Sequence, residues 1–180
     1  MNSRMLPAGN AGGTTSTSAE PIAAPLLTYG GPTQTGAGSF SLRASGALRV
    51  AGAVEVRGGG NLLLQSDGAF TVAETATVTV LGGAGSASGS LSILAGGAIT
   101  LASASALLTE GGDIDVESRS AGIAMASQQS SGEDEPVAAA TIRSQGGNIR
   151  LAAAGDLRVS EVDASAPGDR KSTRLNSSHT

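Results

Sequence analysis

Three carboxylates alternate along one short stretch, Asp113, Asp115 and Glu117. On an extended strand, residues two apart share a face and lie about 6.6 Å from one another. Two chemistries suit such a row: a calcium ion, which takes roughly six to eight oxygens, and glycoside hydrolysis, which uses carboxyl pairs about 5 to 9.5 Å apart. No neighbouring residues complete either site, and the glycine-aspartate nonapeptide of calcium-binding solenoids is absent, so the plainer reading is the solvated face of a strand.

A second acidic group, GEDEP at residues 132–136, could attract a cation or a basic partner. Short charge runs in loops ordinarily just keep the loop in water. Six arginines form two sets, Arg43, Arg49 and Arg57, then Arg143, Arg150 and Arg158. As basic stripes they would suit anionic glycans, although Glu55 and Glu161 interrupt them and ordinary surface charge explains them. Serine is plentiful, but nucleophilic catalysis needs a base within hydrogen-bond reach, and the sole histidine is His179. Gly58 to Gly60 lacks both the lysine of a phosphate-binding loop and a following helix, and reads as a turn. Phe40 and Phe70 are expected inside, which leaves little aromatic surface for stacking sugar rings. The sequence therefore assigns no catalytic, cofactor-binding or metal-binding residue, and no cofactor.

The elements that carry these residues follow from composition and period. Aromatics make up 2% of the 180 residues and charged residues 14%, with 27 glycines and no cysteine. The core must come from Leu, Ile, Val and Ala, arranged in short strands and turns instead of long solvated helices. A net charge of −4 gives no electrostatic basis for nucleic-acid binding. No apolar run approaches the ~20 residues of a spanning helix, and the first residues lack the basic and apolar segments of a signal peptide. The absence of cysteine suits an exported protein and a cytosolic one equally.

Apolar-x-apolar triplets begin at Phe40, Leu48, Val54, Leu62, Phe70, Val78, Leu91, Ile99, Ile114, Ile123, Ile149 and Leu157, with glycine usually just before. Each predicts a short strand with two side chains inside and its middle residue outside; Leu63 is the large apolar exception among the middle residues. A longer period decides between a sandwich and a solenoid. GGNLLL at Gly59, GGAITL at Gly96, GGDIDV at Gly111 and GGNIRL at Gly146 look like variants of one unit, and residues 89–110 or 146–168 would each make one coil. The expected fold is all-β: a parallel β-helix of three short strands per coil, with about five coils rising ~24 Å. Glycine would supply positive φ at the corners, while Asn61, Asp113, Asn148 and Asp156 cap them. Two polar interruptions, residues 82–90 and 126–140, read as loops extruded from the stack.

With GGAITLASASALLTEGGDIDV and GGNIRLAAAGDLRV in view, residues 38–168 resemble the repeat regions of filamentous-haemagglutinin-like and other giant repetitive bacterial surface adhesins. The resemblance implies a right-handed parallel β-helix shaft of a protein exported across the outer membrane with the help of an export partner. It also implies attachment, through the parent protein, to glycans or proteins of host cells or surfaces. Flanking segments differ. Residues 1–37 read as a low-complexity lead-in with at most one short strand around Leu26 to Tyr29. The run DRKSTRLNSSH, residues 169–179, resembles the conceptual translation of a sequencing adapter. That resemblance implies a non-native tail, in which His179 and the glycosylation-like NSS are artefacts and the natural gene continues.

Overall fold

The computed structural model describes residues 27–29, 34–35, 38–82, 89–128 and 138–166. Seventeen strands appear in chain order: β1 (Leu27–Tyr29), β2 (Gln34–Thr35), β3 (Phe40–Ala44), β4 (Leu48–Val50), β5 (Val54–Arg57), β6 (Leu62–Ser66), β7 (Phe70–Val72), β8 (Thr77–Val80), β9 (Leu91–Ala95), β10 (Ile99–Leu101), β11 (Ala106–Thr109), β12 (Ile114–Ser118), β13 (Ile123–Met125), β14 (Thr141–Ser144), β15 (Ile149–Ala153), β16 (Leu157–Arg158) and β17 (Glu161–Asp163). They form three parallel sheets, here called faces. Face I runs β3-β6-β9-β12-β15, face II β1-β4-β7-β10-β13-β16, and face III β2-β5-β8-β11-β14-β17. The chain visits I, II and III in turn, then returns to I one level up. This is a parallel β-helix, with five coils from β3 to β17 preceded by β1 and β2. No helix of the described residues is long and apolar enough to cross a membrane.

Every triplet found by period begins in a strand. Burial alternates along most of them, as in β6, β9 and β12, because successive side chains point to opposite faces. Stacked coils therefore carry continuous inward columns. On face I one column is Phe40, Leu62, Leu91, Ile114 and Ile149, and the next is Leu42, Leu64, Ile93, Val116 and Leu151. The fifth position of each face I strand holds only Ala44, Ser66, Ala95, Ser118 and Ala153. Small side chains let the backbone turn there onto face II. Each inward Leu, Ile or Val contributes about 1.5 to 3 kcal/mol relative to exposure, so slipping one strand by a residue is heavily disfavoured.

The two interruptions sit inside an otherwise regular advance. Leu48 pairs with Phe70 and Leu91 with Ile114, offsets of 22 and 23 residues. Across the first interruption Leu62 pairs with Leu91, an offset of 29, and across the second Ile114 pairs with Ile149, an offset of 35. Register is recovered beyond each, so the pairing of the strands on either side is unchanged; residues 83–88 and 129–137 themselves lie outside the described residues.

Two readings of the sequence are corrected. The motif at Gly96 is not equivalent to those at Gly59, Gly111 and Gly146: it precedes β10 on face II, whereas the others precede face I strands. The glycines also work in two ways. Gly58, Gly59, Gly111 and Gly146 have φ between 83° and 105°, the left-handed region that side chains disfavour. Gly89, Gly96, Gly122 and Gly147 are needed for proximity instead: a Cβ there would run into a backbone carbonyl of the adjacent coil, at Gly60, Asp67, Asp156 and Gly112 respectively. The short strand expected around Leu26 to Tyr29 is β1, and one more, β2, lies in the same lead-in.

Candidate functional site

The acidic row lies on face I. Asp115 and Glu117 sit on β12 and point outward, half-buried, between β9 and β15. Register places Asp115 beside Ser92 and Arg150, and Glu117 beside Leu94 and Ala152. Arg150 reaches down one coil: its Nη1 donates to Asp115 Oδ1 at 2.9 Å and Oδ2 at 3.2 Å and stands 3.8 Å from Glu117 Oε2. Arg119 Nε lies 3.4 Å from the other oxygen of Glu117. The two carboxylates thus face two guanidinium groups in an exposed ion-pair ladder.

Asp113 does not join them. It precedes β12 at the corner between faces III and I, where its Oδ1 accepts the Asn148 backbone N–H at 2.7 Å and the Asn148 side-chain amide at 3.1 Å. Asn61 does the same two coils lower, accepting the Ser90 N–H at 2.8 Å. Asn61, Ser90, Asp113 and Asn148 form one polar column. Asp156 sits instead at the corner between faces I and II, 3.8 Å from Arg158. The alternation that suggested a three-carboxylate cluster therefore resolves into two outward groups and a corner cap. Among the described residues no group of three His, Cys, Asp or Glu converges as metal ligands would.

The arginine stripes are not there. Spacing of six to nine residues carries the chain to the next face, so each set is spread around the prism: Arg43 on face I, Arg49 on face II and Arg57 on face III; Arg150, Arg158 and Arg143 likewise. Most are answered locally. Arg43 lies 3.6 Å from Asp67 and Arg143 3.4 Å from Asp163, and Arg57 bonds Glu55. A stripe in this fold must recur about once per coil, and the arginines do not.

Three polar features escape the search for apolar triplets. Thr109 and Ser144 occupy inward positions on β11 and β14, fully buried, and both donate their hydroxyls to the Gly112 carbonyl, at 2.5 and 2.9 Å. Ser66 and Ser118, buried at the face I corner, donate to the carbonyls of Gly68 and Gly97. Asp163 on β17 accepts the Ser165 hydroxyl at 2.6 Å and its N–H at 2.9 Å. These bonds, with Arg143 nearby, hold its carboxyl below the usual aspartate range against a small opposing effect of burial. The recurring Asn or Asp after paired glycines signals the corner column; the buried hydroxyls leave no such mark.

A half-open hollow of about 220 Å³ lies at the corner of faces I and II, lined by Gln65, Asp67, Leu94, Gly96 and Arg119. It offers one cation, one carboxylate and one aliphatic side chain, without an aromatic platform or a nucleophile beside a base. Phe70 is fully buried and Phe40 packs against the core. The acidic loop at residues 132–136 and the tail at 169–179, including His179, lie outside the described residues. Comparison of the chain with protein-family models, with curated proteins and with solved structures finds no match.

Proposed function

We propose that this chain is a non-enzymatic structural segment of a large secreted or cell-surface bacterial adhesin: a β-helical stalk that holds a binding region, elsewhere in a parent protein, away from the cell. The observation that supports the reading is a stack of five coils whose outward carboxylates and guanidinium groups largely answer one another. A shaft needs length, stiffness and a solvated exterior; it does not need a cleft. On this reading the glycan or protein partners are reached through the parent, an outer-membrane partner exports it, and nucleic acid plays no part. Removing complete coils from the parent should shorten the stalk, measured by electron microscopy, and leave the intrinsic affinity for cells unchanged. Loss of a chemical activity on coil removal would reject the proposal.

One observation favours a second reading, a polysaccharide lyase or glycoside hydrolase: Asp115 and Glu117 do share an outer face with Arg150 between them. Incubation with acidic polysaccharides separates the two readings. A stalk releases no reducing ends or unsaturated products, whereas an enzyme releases them and loses turnover in the Asp115→Asn variant.

A further inference from the structure

The outer surface of face I carries a pattern that the ion-pair ladder does not absorb. Register lines up two outward columns through β3, β6, β9 and β12: Ser41, Leu63, Ser92 and Asp115 in one, Arg43, Gln65, Leu94 and Glu117 in the other. Leu63 and Leu94 stand diagonally across the two middle strands, and both are partly exposed. An arginine lies on the strand below them and two carboxylates on the strand above. The ion pairs around these charges are unequal. Arg150 bonds Asp115 at 2.9 Å, but Arg43 lies 3.6 Å from Asp67, and Glu117 lies 3.4 Å from Arg119 and 3.8 Å from Arg150. The last three separations exceed ordinary hydrogen-bond length, so Arg43 keeps donors, and Glu117 acceptors, for another partner.

The pattern is complementary to itself. We infer that face I docks against face I of a second copy of this chain, the two stacks running in opposite directions with their strands aligned, as in sheet-on-sheet packing. A half-turn about an axis parallel to the strands, midway between β6 and β9, sets each Arg43 against Glu117 of the other copy and each Ser41 against Asp115. At the centre Leu63 faces Ser92 and Leu94 faces Gln65, so the leucines of one copy fill the spaces beside those of the other. Four leucines then make an apolar centre with a charged rim, the ordinary anatomy of a protein interface. The other possible half-turn, about the axis of the stack, puts Asp115 against Glu117 and is opposed by like charge. Four strands at a spacing of ~4.8 Å give a strip roughly 19 Å high, smaller than the surfaces of permanent complexes, so the pair separates on dilution. The contact is isologous and closes at the dimer.

Sedimentation velocity of the full chain over a concentration series tests this. Wild type should pass reversibly from monomer to dimer and stop there. Arg43→Glu alone and Glu117→Arg alone should each stay monomeric, because like charges then meet twice across the joint. An equal mixture of the two should dimerise again, because both rim contacts of the mixed pair join opposite charges. Leu63→Ser and Leu94→Gln each repeat a residue already present in the same column, and each should weaken the dimer about tenfold or more, the loss of one buried leucine from each side. A wild type that stays monomeric throughout or grows past the dimer, a charge variant that dimerises alone, or a mixture that stays monomeric would overturn the inference. If circular dichroism shows a charge variant to be unfolded, the leucine variants decide: wild-type dimerisation in either refutes the inference, and a weakened dimer in both supports it.

Discussion

Single residues here act through the coil above or below them. Gly111 and Gly147 are both corner glycines, yet they fail differently when replaced. At Gly111, φ is +88° and a Cβ would meet only the Gln145 carbonyl at 3.4 Å; the difficulty is the left-handed backbone, which asparagine tolerates and β-branched residues do not. Chemical denaturation should show Gly111→Asn losing under about 1 kcal/mol and Gly111→Val about 1 to 2 kcal/mol or more. At Gly147 a Cβ of any kind collides with the Gly112 carbonyl, which Thr109 and Ser144 hold in place. Gly147→Asn and Gly147→Ala should both be destabilising, by about 1 to 3 kcal/mol, and equal losses for Gly111→Asn and Gly147→Asn would contradict the distinction. Asp163 gives a pH-dependent case. Its folded pKa is lowered, chiefly by the Ser165 hydroxyl and N–H. The stabilisation is therefore complete above the unfolded aspartate pKa and disappears as pH falls through the lowered folded value. Wild type should exceed Asp163→Ala in denaturation midpoint at neutral pH, and the difference should vanish in acid; a difference that grew on acidification would refute the assignment.

The elements of the fold were legible in the sequence wherever both inward positions of a strand are apolar, which is true throughout face I and across face II. On face III reading by triplets finds β5 and β8 and fails above them. In β11 the inward pair is Leu107 and Thr109, in β14 it is Ile142 and Ser144, and β17 has Val162 alone. A threonine or serine in a dry core looks like an outward residue until its acceptor is known, and that acceptor, the Gly112 carbonyl, lies in a turn up to 32 residues away. The acidic row was legible only in part for a related reason: alternation places Asp115 and Glu117 on one outer face, but only the coil spacing brings Arg150 over them and turns Asp113 to the corner. Sharing one acceptor should couple the two hydroxyls. Thr109→Val and Ser144→Ala each leave the carbonyl one donor and should destabilise by about 1 kcal/mol. The double variant removes both and should lose more than the sum, by about 0.5 kcal/mol or more in a double-mutant cycle. Strict additivity would mean that the hydroxyls are satisfied independently.

At the scale of the molecule, each coil contacts its immediate neighbours, so stability is close to a sum of coil and interface contributions. That property makes one kind of deletion cheap and another ruinous. Residues 91–113 form one complete turn of the winding: β9, β10, β11 and their corners. Since Leu91 pairs with Ile114 along the full strand, removing those residues sets β12 directly on β6, β13 on β7 and β14 on β8, with every inward column unbroken. Removing residues 91–98 instead takes out one strand and one corner. It rotates everything downstream by one face, so that three-residue strands from face II must occupy five-residue positions on face I. The first variant should remain folded, with a cooperative thermal transition and a length shorter by about 4.8 Å, one strand spacing, in small-angle scattering. The second, with fewer residues removed, should lose that transition and aggregate. If the eight-residue deletion is tolerated and the whole-turn deletion is not, the chain is not a stack of interchangeable coils, and the stalk built on that property falls with it.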